Sequence, residues 1–182
     1  MTFDLSVAVT RDTIEGLRSF SSSRKDVSEL DLFGHIGTHF DLVECEFDAE
    51  NFERSGLAFD VSKYASGEIG VGVVDLSSVK AGDFVMFHTG TLAKKGYGSM
   101  DYFASRTELS WELIERLVES KVSMIGVDMG SIRMPADHPK ADRYCADRGT
   151  FVVENLDNLS LLVAATRGGH FSVGTYPMNF KG

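Results

Sequence analysis

The segment His35-Ile36-Gly37-Thr38-His39-Phe40-Asp41 places two imidazoles and a carboxylate within seven residues. On an extended chain, residues two apart share a face and lie roughly 6.6 Å from each other along the strand, so His39 and Asp41 can chelate one ion. His35 has the same parity, but a straight strand would hold it roughly 13 Å from His39. A bend is therefore required. Gly37 permits one, through positive φ or a bulge. Imidazole nitrogens with a carboxylate suit a borderline divalent ion such as zinc or manganese. The same residues could instead be hydrogen-bonded polar groups beside a glycine turn, and spacing alone does not separate the two readings.

The elements that must position these groups read as α/β. Phe3, Leu5, Val7 and Val9 alternate and predict a first strand. Ser19 to Asp26 reads as a serine-rich loop, and Leu30 to Asp41 as an extended segment interrupted at Gly34 and Gly37. Ile69 to Leu76 is rich in β-branched residues and glycine, and Asp83 to His88 is a short apolar run closed by Gly90. Ser110 is placed to cap a helix carrying Leu113, Ile114, Leu117 and Val118 on one face. Val122 to Val127 then predicts a buried strand, Ala141 to Arg148 a short helix with Gly149 at its C-terminus, and Phe151 to Val153 a strand ending at Glu154. Polar residues thus gather at strand ends, where α/β folds bind ligands.

Bulk properties narrow the partners. A chain of 182 residues suits one domain spanning 1–182. Its formal net charge of -9, with no basic stripe, argues against nucleic acid. Two cysteines, Cys45 and Cys145, exclude a disulfide framework and point to a reducing compartment. Met1 to Thr10 lacks the features of a signal peptide, and no apolar run approaches the roughly 18 residues of a membrane span. The expected setting is cytoplasmic, with a small-molecule substrate and no membrane partner.

The His35–Asp41 string resembles the His-x-Gly-Thr-His-x-Asp-x-Pro-x-His motif of the metal-dependent cyclase family, which includes kynurenine formamidase and isatin hydrolase. The likeness extends, in order, over roughly residues 30 to 180. Asp83-Phe84-Val85-Met86-Phe87-His88-Thr89-Gly90 looks like the family's strand into Arg-Thr-Gly. Leu109-Ser110 with Ile125-Gly126-Val127-Asp128-Met129-Gly130-Ser131 looks like its Leu-Ser…Gly-Ile-Asp-x-x-Ser segment. Glu154-Asn155-Leu156-Asp157-Asn158-Leu159 resembles Glu-Asn-Leu-x-Asn-Leu. Pro177 to Gly182 matches a near-terminal Pro-Leu-x-x-x-Gly stretch.

What the resemblance implies is a swivelling β/β/α-type domain with a mixed, partly closed sheet flanked by helices, assembling as a homodimer or homotetramer. It implies one or two divalent ions on His35, His39 and Asp41, with Asp41 bridging and Glu154 completing a second site. It also implies hydrolysis of an amide, formamide or lactam by metal-activated water. Three departures qualify it. The family's second-site histidine, twelve residues before the glutamate, is Asp142, with His138 able to substitute only in a different loop register. The motif proline is Val43, and the final motif histidine, the family's proton-transfer group, is Cys45. Cys45 is the catalytic candidate, since a thiolate beside a cation can act as base or nucleophile; Glu44 and Glu46 flank it as alternatives. A non-catalytic relative that binds a metal or small ligand is the competing expectation.

Overall fold

Parallel strands buried on both faces form the centre of the molecule, and their sequences show why. In the computed structural model, which describes residues 1–22 and 34–177, β4 (Phe84–His88), β6 (Met124–Val127) and β7 (Phe151–Glu154) are apolar along nearly their whole length. Only a sheet covered on each side accommodates such runs. The six-stranded sheet has the order β1 (His39–Phe40), β7, β6, β4, β2 (Glu53–Asp60), β8 (Phe171–Gly174). Strand β2 runs parallel to β4, whereas the edges β1 and β8 are antiparallel to their neighbours. A second, two-stranded pair joins β3 (Glu68–Ile69) and β5 (Glu108–Leu109). The result is a mixed sheet flanked by helices.

Alternation sorts the strand residues to two cores. Val85, Phe87, Ile125, Val127 and Val152 face one cluster, Phe84, Met86, Met124, Phe151 and Val153 the other. Short helices α2 (Thr91–Lys95) and α3 (Met100–Phe103) follow β4. Helix α4 (Trp111–Glu119) covers the first face with Leu113, Ile114, Leu117 and Val118, and the Ser110 hydroxyl caps it by accepting the Leu113 N–H at 3.1 Å. Helix α5 (His138–Ala146) adds Ala141 and Cys145 to that face, and α6 (Leu159–Thr166) seals the other with Leu159 and Leu162.

Gly126 lies where the sheet leaves no room. A Cβ there would stand 2.5 Å from the Leu156 side chain and 2.6 Å from the Phe84 ring. Gly126→Ala is therefore expected to cost about 1–3 kcal/mol of stability through overpacking, read as a lower urea midpoint with unchanged slope.

Two expectations need correction. The first strand over Phe3 to Val9 does not form, and the N-terminal stretch meets the sheet through one bridge, Ser6 to Leu156. Phe3 and Leu5 alternate because they pack on the second core, while the Asp4 carboxylate turns back to accept the Ser6 N–H. Their period reports one-sided burial, with no ladder behind it. The loop begun at Ser19 is helical as far as Ser22, the end of α1 (Arg11–Ser22). Its Ser19 hydroxyl donates to the Glu15 carbonyl, an arrangement that lets serine sit inside a helix. Residues 23–26 of that loop, 30–33 of the extended segment and 178–182 of the terminal motif lie outside the described residues. Among the described residues, no helix is long and apolar enough to cross a membrane.

Candidate metal centre

Gly37 supplies the bend. Its φ is +78°, its N–H donates to the Tyr97 hydroxyl oxygen at 2.7 Å, and its carbonyl accepts the Asn155 amide at 2.9 Å. The turn brings His35 Nδ1 to 3.1 Å from His39 Nε2 and 3.5 Å from Asp41 Oδ1. Pairing of β1 with β7 sets His39 opposite Glu154, with His39 Nε2 3.5 Å from Glu154 Oε2.

Helix α5 delivers the other half. His138 and Asp142 are four apart and so share one helical face. His138 Nε2 lies 2.9 Å from Asp142 Oδ2 and 3.0 Å from Glu154 Oε1. Among the described residues two groups hold ligand atoms within 4.8 Å of one another: His35, His39 and Asp41, and Asp41, His138 and Asp142. Asp41 belongs to both, and Glu154 contacts a histidine of each.

The donors fit a divalent cation. His138 Nε2 and Glu154 Oε1 are buried and face each other at 3.0 Å without hydrogen-bond geometry, and the buried Asp142 Oδ1 has no hydrogen-bond partner. Buried polar atoms nearly always have a partner, and a divalent cation shared by these three would supply one. Nitrogen and oxygen donors without thiolate match zinc- or manganese-like ions. The rim is wetter than the floor: the His35 side chain is 51% exposed, those of Asp142 and Glu154 7% and 6%.

Without a metal the floor holds itself together by proton. Burial opposes a charged His138, but the carboxylates of Asp142 and Glu154 outweigh it and push its pKa up to about 10. Burial raises the Glu154 pKa, against the lowering pull of His138 and His39.

His35, His39, Asp41, Asp142 and Glu154 are thus brought together, and His138 joins them. The choice between Asp142 and His138 posed by the sequence dissolves, because α5 begins at His138 and carries both on one face. Pro139 in its first turn was the available signal.

Cys45 is placed differently. It packs with Phe40 and Phe47 against the second core, and its thiol meets the Val43 carbonyl at 3.9 Å. Glu44 and Glu46 are exposed, and Glu44 pairs with Arg143 of α5 at 3.0 Å. The turn between Asp41 and Cys45 has Val43 at φ +48° and Glu44 at +67°, closed by Cys45 N–H to Leu42 O at 2.8 Å. Proline, fixed near −65°, could not occupy Val43 in this conformation, so the departure from the motif changes the backbone path.

Comparison with known proteins places this architecture. The Cyclase family model matches residues 3–133. Isatin hydrolase A from Labrenzia aggregata, solved with benzyl benzoate, is 16% identical with a TM-score of 0.62; the match covers 78% of this chain and 60% of that one. An isatin hydrolase solved with the product analogue thioisatinate is 16% identical, TM-score 0.67, covering 81% and 67%. A potential metal-dependent hydrolase with cyclase activity is 20% identical, TM-score 0.55, covering 69% and 64%. The chain therefore spans about three fifths to two thirds of these relatives' lengths. No curated protein matches it.

Proposed function

Because the chain belongs to the Cyclase family, we propose that it is a metal-dependent hydrolase of a carbon–nitrogen bond in an amide, formamide or lactam. The single observation that carries this reading is the convergence of six nitrogen- and oxygen-donor side chains, His35, His39, Asp41, His138, Asp142 and Glu154, on one partly buried place. The neighbouring structures, isatin hydrolases and a potential metal-dependent hydrolase with cyclase activity, support the reaction class.

In this reading His35, His39 and Asp41 hold one cation, and Asp41, His138, Asp142 and Glu154 leave room for a second. A bound divalent ion supplies Lewis acidity toward a carbonyl and lowers the pKa of water toward about 7. The chain does the rest. Three carboxylates would offset the dications, His138 would release its proton to solvent when a cation binds, and the buried floor keeps bulk water from Asp142 and Glu154. A cavity of about 1120 Å³, whose lining includes His39, Asp41, Phe84, Leu156, Leu162 and Phe171, offers volume for a small-molecule substrate.

Elemental analysis of the purified chain, paired with a panel of aryl formamides and lactams, tests the proposal. Near-stoichiometric zinc or manganese with turnover lost on chelation is expected. Metal without turnover across the panel would favour the competing reading, a non-catalytic metal or ligand binder, which the apolar packing of Cys45 supports. Cys45→Ala is expected to leave metal content unchanged. A fall in turnover beyond tenfold with full metal would assign the thiol the acid–base role.

A further inference from the structure

We propose that the cavity against the second core selects an amide that carries an extended apolar chain and no anionic group. That the ligand is an amide rests on the function proposed above; the preference for its shape and charge does not.

The cavity follows from how unequally the two sheet faces are covered. Helices α4 and α5 both pack on the first face, whereas α6 is the one described helix that contributes to the second core. Its eight residues, Leu159–Thr166, make a helix of about 12 Å, packed over β2 and β4. Six strands spread over about 24 Å. What the helix leaves uncovered is the cavity. Its lining runs from Phe40 on β1, past Val153 on β7 and Phe84 on β4, to Phe171 and Val173 on β8. It therefore crosses the sheet from one edge strand to the other, along side chains of the second core. His39 of β1 and Asp41 just beyond it belong both to this lining and to a ligand group. An amide held beside them has the sheet face along which to lay a chain. The volume, about 1120 Å³, exceeds the roughly 300–1,000 Å³ that takes a drug-sized ligand, so a single-ring amide would leave most of it to water.

Charge narrows the ligand further. The acidic side chains of the lining are Asp4, Asp41 and Glu53, and among the described residues no lysine or arginine joins them. The Ser6 N–H, donated to Asp4 at 2.9 Å, holds that carboxyl below its ordinary range, and Glu53 accepts the Tyr176 hydroxyl. A carboxylate or phosphate on the ligand would meet these groups with no side-chain cation to pair with, and the net charge of -9 opposes its approach. Hydrolysis of such an amide breaks the C–N bond, places the hydroxyl of water on the carbonyl carbon and gives its other hydrogen to the leaving nitrogen. No further reactant is required.

The test uses the full chain loaded with zinc and two straight-chain series, alkylformamides with the chain on nitrogen and carboxamides with the chain on the carbonyl. In at least one series kcat/KM is expected to rise about threefold to fourfold per buried methylene, hence about 50-fold or more between four and eight carbons. A terminal carboxylate on the eight-carbon amide is expected to lower kcat/KM by about tenfold or more. Ala165 is an exposed α6 residue that lines the cavity. Ala165→Trp, with folding checked by its urea midpoint, is expected to cut the ratio of eight- to four-carbon kcat/KM about tenfold, the worth of roughly two displaced methylenes. Turnover of aryl formamides with both series flat, or with the terminal carboxylate tolerated, would overturn the cavity proposal and spare the hydrolase. No turnover of any amide would sink the hydrolase instead, and calorimetric dissociation constants for octanamide and butanamide then decide the cavity. A difference of about 50-fold upholds it, and equal affinity overturns it.

Discussion

Glu154→Gln is expected to abolish metal uptake and turnover together while leaving the metal-free chain at least as stable as the parent. Glu154 is 4% exposed and stands against His39 on one side and His138 on the other. It joins the two ligand groups, so its loss cannot be absorbed by one of them. Outer-shell changes alone commonly weaken metal binding 10- to 100-fold, and removal of an inner carboxylate should exceed about 100-fold. Stability should move the other way. Burial opposes ionisation of Glu154, and Asp142 adds like-charge repulsion. A neutral amide of the same shape relieves both, although His138 then leans on Asp142 alone. Equilibrium dialysis with zinc or manganese and urea unfolding in excess chelator measure the two effects. Retained stoichiometric metal would remove Glu154 from the centre, and a metal-free chain that no longer folds would make the cluster a structural ion-pair network.

Much of this arrangement was legible in the residues, and what was missed has a common cause. The bend at Gly37 follows from elementary strand geometry, since two imidazoles four apart meet only if the chain turns between them. The structure gives that turn φ +78° and ring centroids 5.0 Å apart. The helix capped by Ser110 and the buried strands ending at Asp128 and Glu154 declare themselves through capping and period. His138 was harder, because placing the start of α5 at Ala141 removed it from the face it shares with Asp142. A three-residue error at a helix end rotates a side chain out of the site. Tyr97 and Tyr102 carry no local signal, and Asn155 is marked only by the Glu-Asn-Leu run, because their partners lie 53 to 118 residues away in the chain. The extended reading of Phe3 to Val9 failed for a related reason: burial on one face gives a period of two whether or not a partner strand exists.

The second large effect concerns the opposite face of the same strand ends. Asp128, 3% exposed, accepts Thr89 N–H at 2.8 Å, the Thr89 hydroxyl at 2.5 Å and Gly90 N–H at 2.7 Å, and meets His88 Nδ1 at 3.1 Å. This one carboxylate ties the end of β4 to that of β6. Asp128→Asn would set an NH₂ donor against one of these donors and deprive His88 of its charge partner. A loss of about 3–5 kcal/mol is expected, the usual result of breaking a buried charged contact from one side. The hydrogen bond to Asp128 raises the His88 pKa above 6.5, despite partial desolvation. A group whose folded pKa is raised stabilises fully below its unfolded value, so this contribution is complete below about 6.5 and fades as pH rises through the folded pKa. The parent should therefore lose part of its unfolding free energy as pH rises above about 6.5, and His88→Gln should flatten that stretch of the curve at a smaller cost than Asp128→Asn. Equal pH slopes in parent and His88→Gln, measured by urea unfolding in excess chelator so that His138 adds the same slope to both, would show that the pair is neutral in the folded chain.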